Sequence, residues 1–170
     1  MKLLVVVDMQ TDFIDGVLGT PEAVAILPYV KERIEQFEGR VLFTRDSHGE
    51  DYLSTEEGRH LPVPHCIRGS AGWQIHPSLA DLCKEAPVDK PTFGSMELIR
   101  RVEEGERPEE IVVLGVCTDI CVISNVLLLK AAFPEIPITV DARGCAGVTP
   151  ESHQTALAAM RACQIGISEF

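Results

Sequence analysis

A chain of 170 residues with 45% hydrophobic side chains carries enough apolar material for one continuous core. Its 26 acidic against 15 basic residues leave a formal charge of −11, which repels phosphate backbones and anionic lipid and excludes nucleic acid and membrane as expected partners. Six cysteines, at 66, 83, 117, 121, 145 and 163, are scattered, so free thiols in a reducing, cytoplasmic setting are expected; the run before Asp8 is too brief for a signal peptide or a membrane span.

In chain order, 3-LLVVV-7 is apolar on both faces, the mark of a central parallel strand. Residues 22–37 place Ile26, Val30, Ile34 and Phe37 at spacings of three and four, which predicts an amphipathic helix. A second strand is expected over 40–45. Residues 46–86 then make a long Pro- and Gly-bearing excursion without a period, a length that usually serves function. Beyond it come a strand end at 87–90, a helix over 96–104 and a buried strand over 110–116. Thr118 as N-cap, Asp119 in the first turn and Phe133-Pro134 as a stop predict a helix over about 119–132, with Cys121 in its first turn. A strand over 138–141, a helix over about 150–163 opened by Thr149-Pro150, and a short strand within 164–170 complete the chain. Strands alternating with helices predict an α/β fold of three layers, a mostly parallel, Rossmann-like sheet flanked by helices, as one domain over 1–170.

Open parallel sheets bind ligands outside the carboxyl ends of their strands. By that rule four strands deliver Asp8, Asp46, Lys90 and the segment from Cys117 to Cys121 to one edge. A thiol in a helix's first turn meets the positive end of the helix dipole, and a lysine beside it favours thiolate further; Asp8 would accept and return a proton. Cys121, Asp8 and Lys90 are therefore candidates for a nucleophile site. On position alone packing remains an equal reading for the cysteines, whose spacing fits neither a Cys-x-x-Cys redox pair nor a zinc knuckle. Taken singly, Asp8 is a turn cap and Lys90 a solvated lysine.

In the excursion, Asp46 and His48 stand two apart at a strand end and His65 follows a proline. A carboxylate with two imidazoles is a donor set for zinc, iron or manganese, set against loop histidines bonded to backbone. Phe13 and Phe93 each follow a site candidate by a few positions and either face a flat substrate ring or fill core. Trp73 either lines the pocket or covers the excursion, and His153 is expected at a helix surface or core edge with no chemistry.

Taken in order, 5-VVVDMQTDF-13, 44-TRDSH-48, 63-VPHCIRGSAG-72, 90-KPTFGS-95, 114-LGVCTDICV-122 and 141-DARGCAGVTPESHQTALAAM-160 resemble the isochorismatase-like cysteine hydrolases, and within them the nicotinamidase/pyrazinamidase branch. The resemblance implies an isochorismatase-like fold, a catalytic triad of Asp8, Lys90 and Cys121, and a non-proline cis peptide between Val116 and Cys117. It also implies backbone N–H groups of Cys117 and Cys121 as an oxyanion hole. One divalent metal ion, zinc foremost, is implied on Asp46, His48 and His65, with Glu57 as a further ligand and His60 as its rival. The implied reaction is hydrolysis of a small carboxamide, nicotinamide to nicotinate and ammonia, through a cysteine thioester, in a homo-oligomer. Many nicotinamidases carry tryptophans where this chain has Ser47 and 61-LPV-63, a departure that loosens the substrate but not the reaction class. Two further readings stand beside it: another cysteine hydrolase of this fold acting on a ureide, an isochorismate-like compound or another amide, and a non-catalytic binding protein.

Overall fold

Lys2–Val7 forms β1, in which every side chain from Leu3 to Val7 is buried. Such a strand has no solvent face and needs cover on both sides, which a parallel sheet between helices supplies. The computed structural model, which describes residues 1–169, contains that sheet. Its other strands are β2 (Arg40–Asp46), β3 (Val88–Lys90), β4 (Glu110–Val116), β5 (Ile138–Ala146) and β6 (Gly166–Ser168). They lie in the order β3-β2-β1-β4-β5-β6 with every pair parallel. The helices are α1 (Thr11–Ile14), α2 (Pro21–Glu35), α3 (Glu56–His60), α4 (Pro77–Ala80), α5 (Met96–Glu103), α6 (Ile123–Ala132) and α7 (Pro150–Ala162). Right-handed crossovers moving in opposite directions cover opposite faces, so α2 lies on one face and α5, α6 and α7 pack side by side on the other. The expected three-layer α/β architecture is present. All six cysteines are free, and among the described residues no helix is long and apolar enough to cross a membrane.

The order of connection reverses between β1 and β4: β1 leads to β2 on one side, and β4 leads to β5 on the other. The crevice outside the carboxyl ends at such a point is where open α/β sheets bind ligands. Asp8 and Cys117 leave the two strands that border it, while Asp46 and Lys90 end the next two. Close approach of β4 to β1 demands glycine at 115, where φ is +124° and a Cβ would stand 2.1 Å from Val7 O. The β4–β5 register shifts at this point, and the peptide that follows, Val116–Cys117, is cis as the resemblance implied.

The structure departs from the expected elements in three places. The helix expected over 119–132 begins as a wide π turn, Thr118–Val122, closed by Val122 N–H donating to Cys117 O at 3.1 Å, and becomes α-helical only at Ile123. Thr118 is therefore not the N-cap; its hydroxyl is hydrogen-bonded to Nδ1 of half-buried His153 at 2.7 Å. The strand expected over 138–141 runs on to Ala146, because its second half pairs with the displaced end of β4. The excursion holds a 3-10 turn (Tyr52–Ser54), α3 and α4, all too short to show a period in sequence. The short terminal strand appears as β6, while Phe170 lies outside the described residues.

Candidate active site

Asp8 adopts φ +49°, a left-handed conformation that Asp tolerates better than most side chains. This bend takes the main chain out of the sheet, and the side chain of Gln10 continues the ladder in its place. It accepts from Asp46 N–H at 2.7 Å and donates to Asp46 O at 2.8 Å. Asp8 is fixed by Thr44, whose hydroxyl accepts from Asp8 N–H at 3.2 Å and donates to Asp8 Oδ1 at 2.6 Å. Asp8 Oδ2 lies 2.6 Å from Lys90 Nζ. The same ammonium donates to Cys121 Sγ at 3.3 Å and to Thr92 O at 3.1 Å, and stands 3.4 Å from Asp46 Oδ1. Asp8 and Lys90 have no exposed surface, whereas Cys121 retains 6% and is the member of the trio that faces the pocket. Three residues far apart in sequence thus meet around one ammonium.

Burial pushes the Cys121 thiol well above its ordinary value; the charge of Asp8 adds to this and that of Lys90 opposes it. The lysine and helix-start effects that favour a thiolate are thus opposed here by burial and by the charges of Asp8 and Asp46. Burial also raises the Asp8 carboxyl, outweighing Lys90, while Lys90 is raised despite its burial by the charges around it, Asp8 first. Such an arrangement is one in which a carboxylate could take the proton of the thiol as the sulfur attacks.

Asp46, His48, Glu57 and His65 place one ligand atom each within 4.8 Å of one another. His48 Nε2 is 2.8 Å from Asp46 Oδ2 and 3.5 Å from Glu57 Oε1; His65 Nε2 is 3.5 Å from Asp46 Oδ2 and 3.6 Å from Glu57 Oε1. Tetrahedral donors about 2.0–2.1 Å from a zinc ion stand about 3.3 Å apart, so this donor set fits a divalent ion with small adjustments. His65 Nδ1 is 2.8 Å from Val63 O, and since a carbonyl only accepts, Nδ1 carries a proton and Nε2 is the ring atom that faces the cluster. Burial acts to raise the Asp46 carboxyl, but hydrogen bonds from His48 and His65 and the charge of Lys90 outweigh it and hold Asp46 well below the usual carboxylate range. His60, the rival of Glu57, is exposed on α3 with Nε2 3.1 Å from Glu56 Oε1 and stays outside the cluster.

The two groups share a pocket of about 680 Å³, lined by Asp46, Glu57, His65 and Cys121 together with Phe13 and Phe93. Both phenylalanines thus line the pocket. Trp73 does not line the pocket: its Nε1 donates to Ser47 Oγ at 2.7 Å and the Arg45 guanidinium lies 3.4 Å from its ring centroid, so it covers the excursion.

With this geometry in place, comparison with known proteins is decisive: residues 2–169 match the isochorismatase domain. The chain belongs to the isochorismatase family. This family member is 30% identical over 141 residues, 72% of its length, to the nicotinamidase/pyrazinamidase of Mycobacterium tuberculosis, of which the match covers 75%. Its fold is similar to the pyrazinamidase of Pyrococcus horikoshii in complex with zinc, at 29% identity and a TM-score of 0.84 over 99% of each chain. It is also similar to the nicotinamidase/pyrazinamidase of Bacillus subtilis, at 25% identity and a TM-score of 0.80 over 99% of each chain.

Three residues of this isochorismatase-family site escape sequence reading. Thr44 and Gln10 gain their roles only from the parallel register of β1 and β2. Asn125 donates to Cys121 O at 2.8 Å and Phe93 O at 3.0 Å and accepts from Ser95 N–H at 2.9 Å, tying the nucleophile's turn to the segment after Lys90. Its signal was an asparagine inside a mainly apolar helix, where a buried amide must find partners.

Proposed function

We propose that the protein hydrolyses a small carboxamide, nicotinamide foremost, to the acid and ammonia through a thioester on Cys121, acting in the cytoplasm as a homo-oligomer. The observation that carries this reading is the Lys90 ammonium set 2.6 Å from Asp8 and 3.3 Å from Cys121, beneath a pocket lined by three of the four residues of the candidate metal-ligand cluster. The relatives named as nicotinamidases and pyrazinamidases support the substrate, and the zinc in the Pyrococcus horikoshii protein supports zinc on Asp46, His48, Glu57 and His65. When bound there, a divalent ion supplies a Lewis acid that fixes a ring nitrogen or a water.

Asp8 takes the Sγ proton of Cys121 as the sulfur bonds to the carboxamide carbon and charge moves onto the oxygen. The backbone N–H groups of Cys117 and Cys121 receive that oxyanion. The C–N bond breaks as Asp8 returns the proton to nitrogen, and ammonia leaves a thioester. Asp8 then deprotonates a water that attacks the thioester carbon; the C–S bond breaks, the acid departs and the proton returns to sulfur. Lys90 remains an ammonium and compensates whichever neighbour carries negative charge. Phe13 and Phe93 flank the ring.

Ammonia release from nicotinamide and pyrazinamide by the zinc-loaded chain tests this reading. Wild type is expected to turn over both, Cys121→Ala neither, and rapid quenching to trap an acyl adduct on Cys121. Equal turnover by wild type and Cys121→Ala would refute the nucleophile.

A further inference from the structure

Single-ring carboxamides are smaller than the ligands that fill pockets of about 300–1,000 Å³. A cavity of about 680 Å³ leaves room beyond such a ring. The character of that extra space follows from its mouth. Leu61 at the end of α3, Phe93 after β3 and Val148 before α7 converge there, and they are 39%, 41% and 50% exposed. Leu18, after α1, completes the apolar rim. Large apolar side chains left in water at the lip of a site favour a ligand group that covers them. The charges point the same way. Among the described residues no lysine or arginine lines the pocket; Asp46 and Glu57 belong to the metal-ligand cluster, and at the mouth Glu56 already engages both His60 and Arg59, at 3.1 and 3.0 Å. An anionic substituent on the side of the ring away from the cluster would find no unpaired cation to receive it.

We infer that this site selects carboxamides whose ring bears a further neutral, apolar group, such as a short alkyl chain or a fused ring, over the bare ring and over anionic derivatives. The inference rests on the carboxamide hydrolysis proposed above and names its substrate class. The extra group lies against Leu61, Phe93 and Val148 while the carboxamide reaches Cys121. Each methylene covered strengthens binding about fourfold, so a propyl group in partial contact is worth tenfold or more.

The test uses the full chain, zinc-loaded, as Cys121→Ala for binding by calorimetry and as wild type for turnover. The probes are nicotinamide, its 5- and 6-propyl derivatives and the 5-carboxy derivative, since a 6-carboxylate beside the ring nitrogen would chelate the metal. The better propyl compound is expected to bind at least tenfold tighter than nicotinamide, and the carboxy compound at least tenfold more weakly. Leu61→Arg, at an exposed position, is expected to shift the propyl-to-carboxy preference by tenfold or more toward the anion. Propyl compounds that bind no tighter than nicotinamide, or a preference unmoved by Leu61→Arg, would overturn the inference. The binding measurements decide it independently of turnover. Absence of ammonia from every amide defeats the hydrolase reading, while the binding order still upholds or overturns the pocket's preference.

Discussion

Replacing Asp8 with asparagine separates the reactivity of the sulfur from the ability to catalyse. Asparagine tolerates the left-handed backbone and keeps an oxygen for the Thr44 hydroxyl, while its amide nitrogen replaces the oxygen that faces Lys90 and removes that ammonium's nearest counter-charge. Lys90 Nζ lies 2.6 Å from Asp8 and 3.3 Å from Cys121, which places carboxylate and sulfur no more than about 6 Å apart. At an effective dielectric of about 20, two unit charges at that distance repel by about 3 kcal/mol. Removing the carboxylate therefore favours the thiolate, left beside Lys90 and Asp46, by about a hundredfold at neutral pH. Iodoacetamide labelling at pH 7, read at Cys121 by peptide mass spectrometry, is expected to be about a hundred times faster in Asp8→Asn than in wild type. The rise of labelling rate with pH should move to lower pH, since the lost charge was one that raised the thiol. Ammonia release should fall about a thousandfold, the usual scale for losing a general base. A wild-type sulfur that labels rapidly at pH 7, and no faster in the variant, would show a thiolate at rest and refute the reasoning.

Two further outcomes are expected. Removing divalent ions with a chelator should lower the melting temperature by about 5–10 °C, as expected for an ion present at a hundred times its dissociation constant, with zinc restoring it; His65→Ala should show neither the shift nor bound zinc by elemental analysis. Gly115→Ala, which sets a methyl group 2.1 Å from Val7 O at φ +124°, should cost about 3 kcal/mol or more in a urea titration, and an unchanged midpoint would contradict the β1–β4 geometry.

What could be read from sequence was what local chemistry announces. β1 declared itself by being apolar on both faces, and Asp8, Lys90 and Cys121 by falling at strand ends, where a parallel sheet collects its reactive groups. Glu57 depended on family resemblance, because α3 is five residues long and nothing in its spacing separates Glu57 from His60. Thr44, Gln10 and Asn125 stayed hidden for another reason. Each is an ordinary polar residue until the register of two strands or the packing of two segments supplies its partner. The burial that raises the Cys121 thiol could not be read from position, because desolvation is a property of the folded surroundings and leaves no mark on the local sequence.

Asp46 turns one carboxylate oxygen toward His48 and His65 and the other toward Lys90. The excursion and the thiol site are therefore wired through a single side chain, and neither can be redesigned as an independent module. A loop grafted from a relative to change specificity would bring a new companion for Asp46 and so retune the charge balance around the nucleophile.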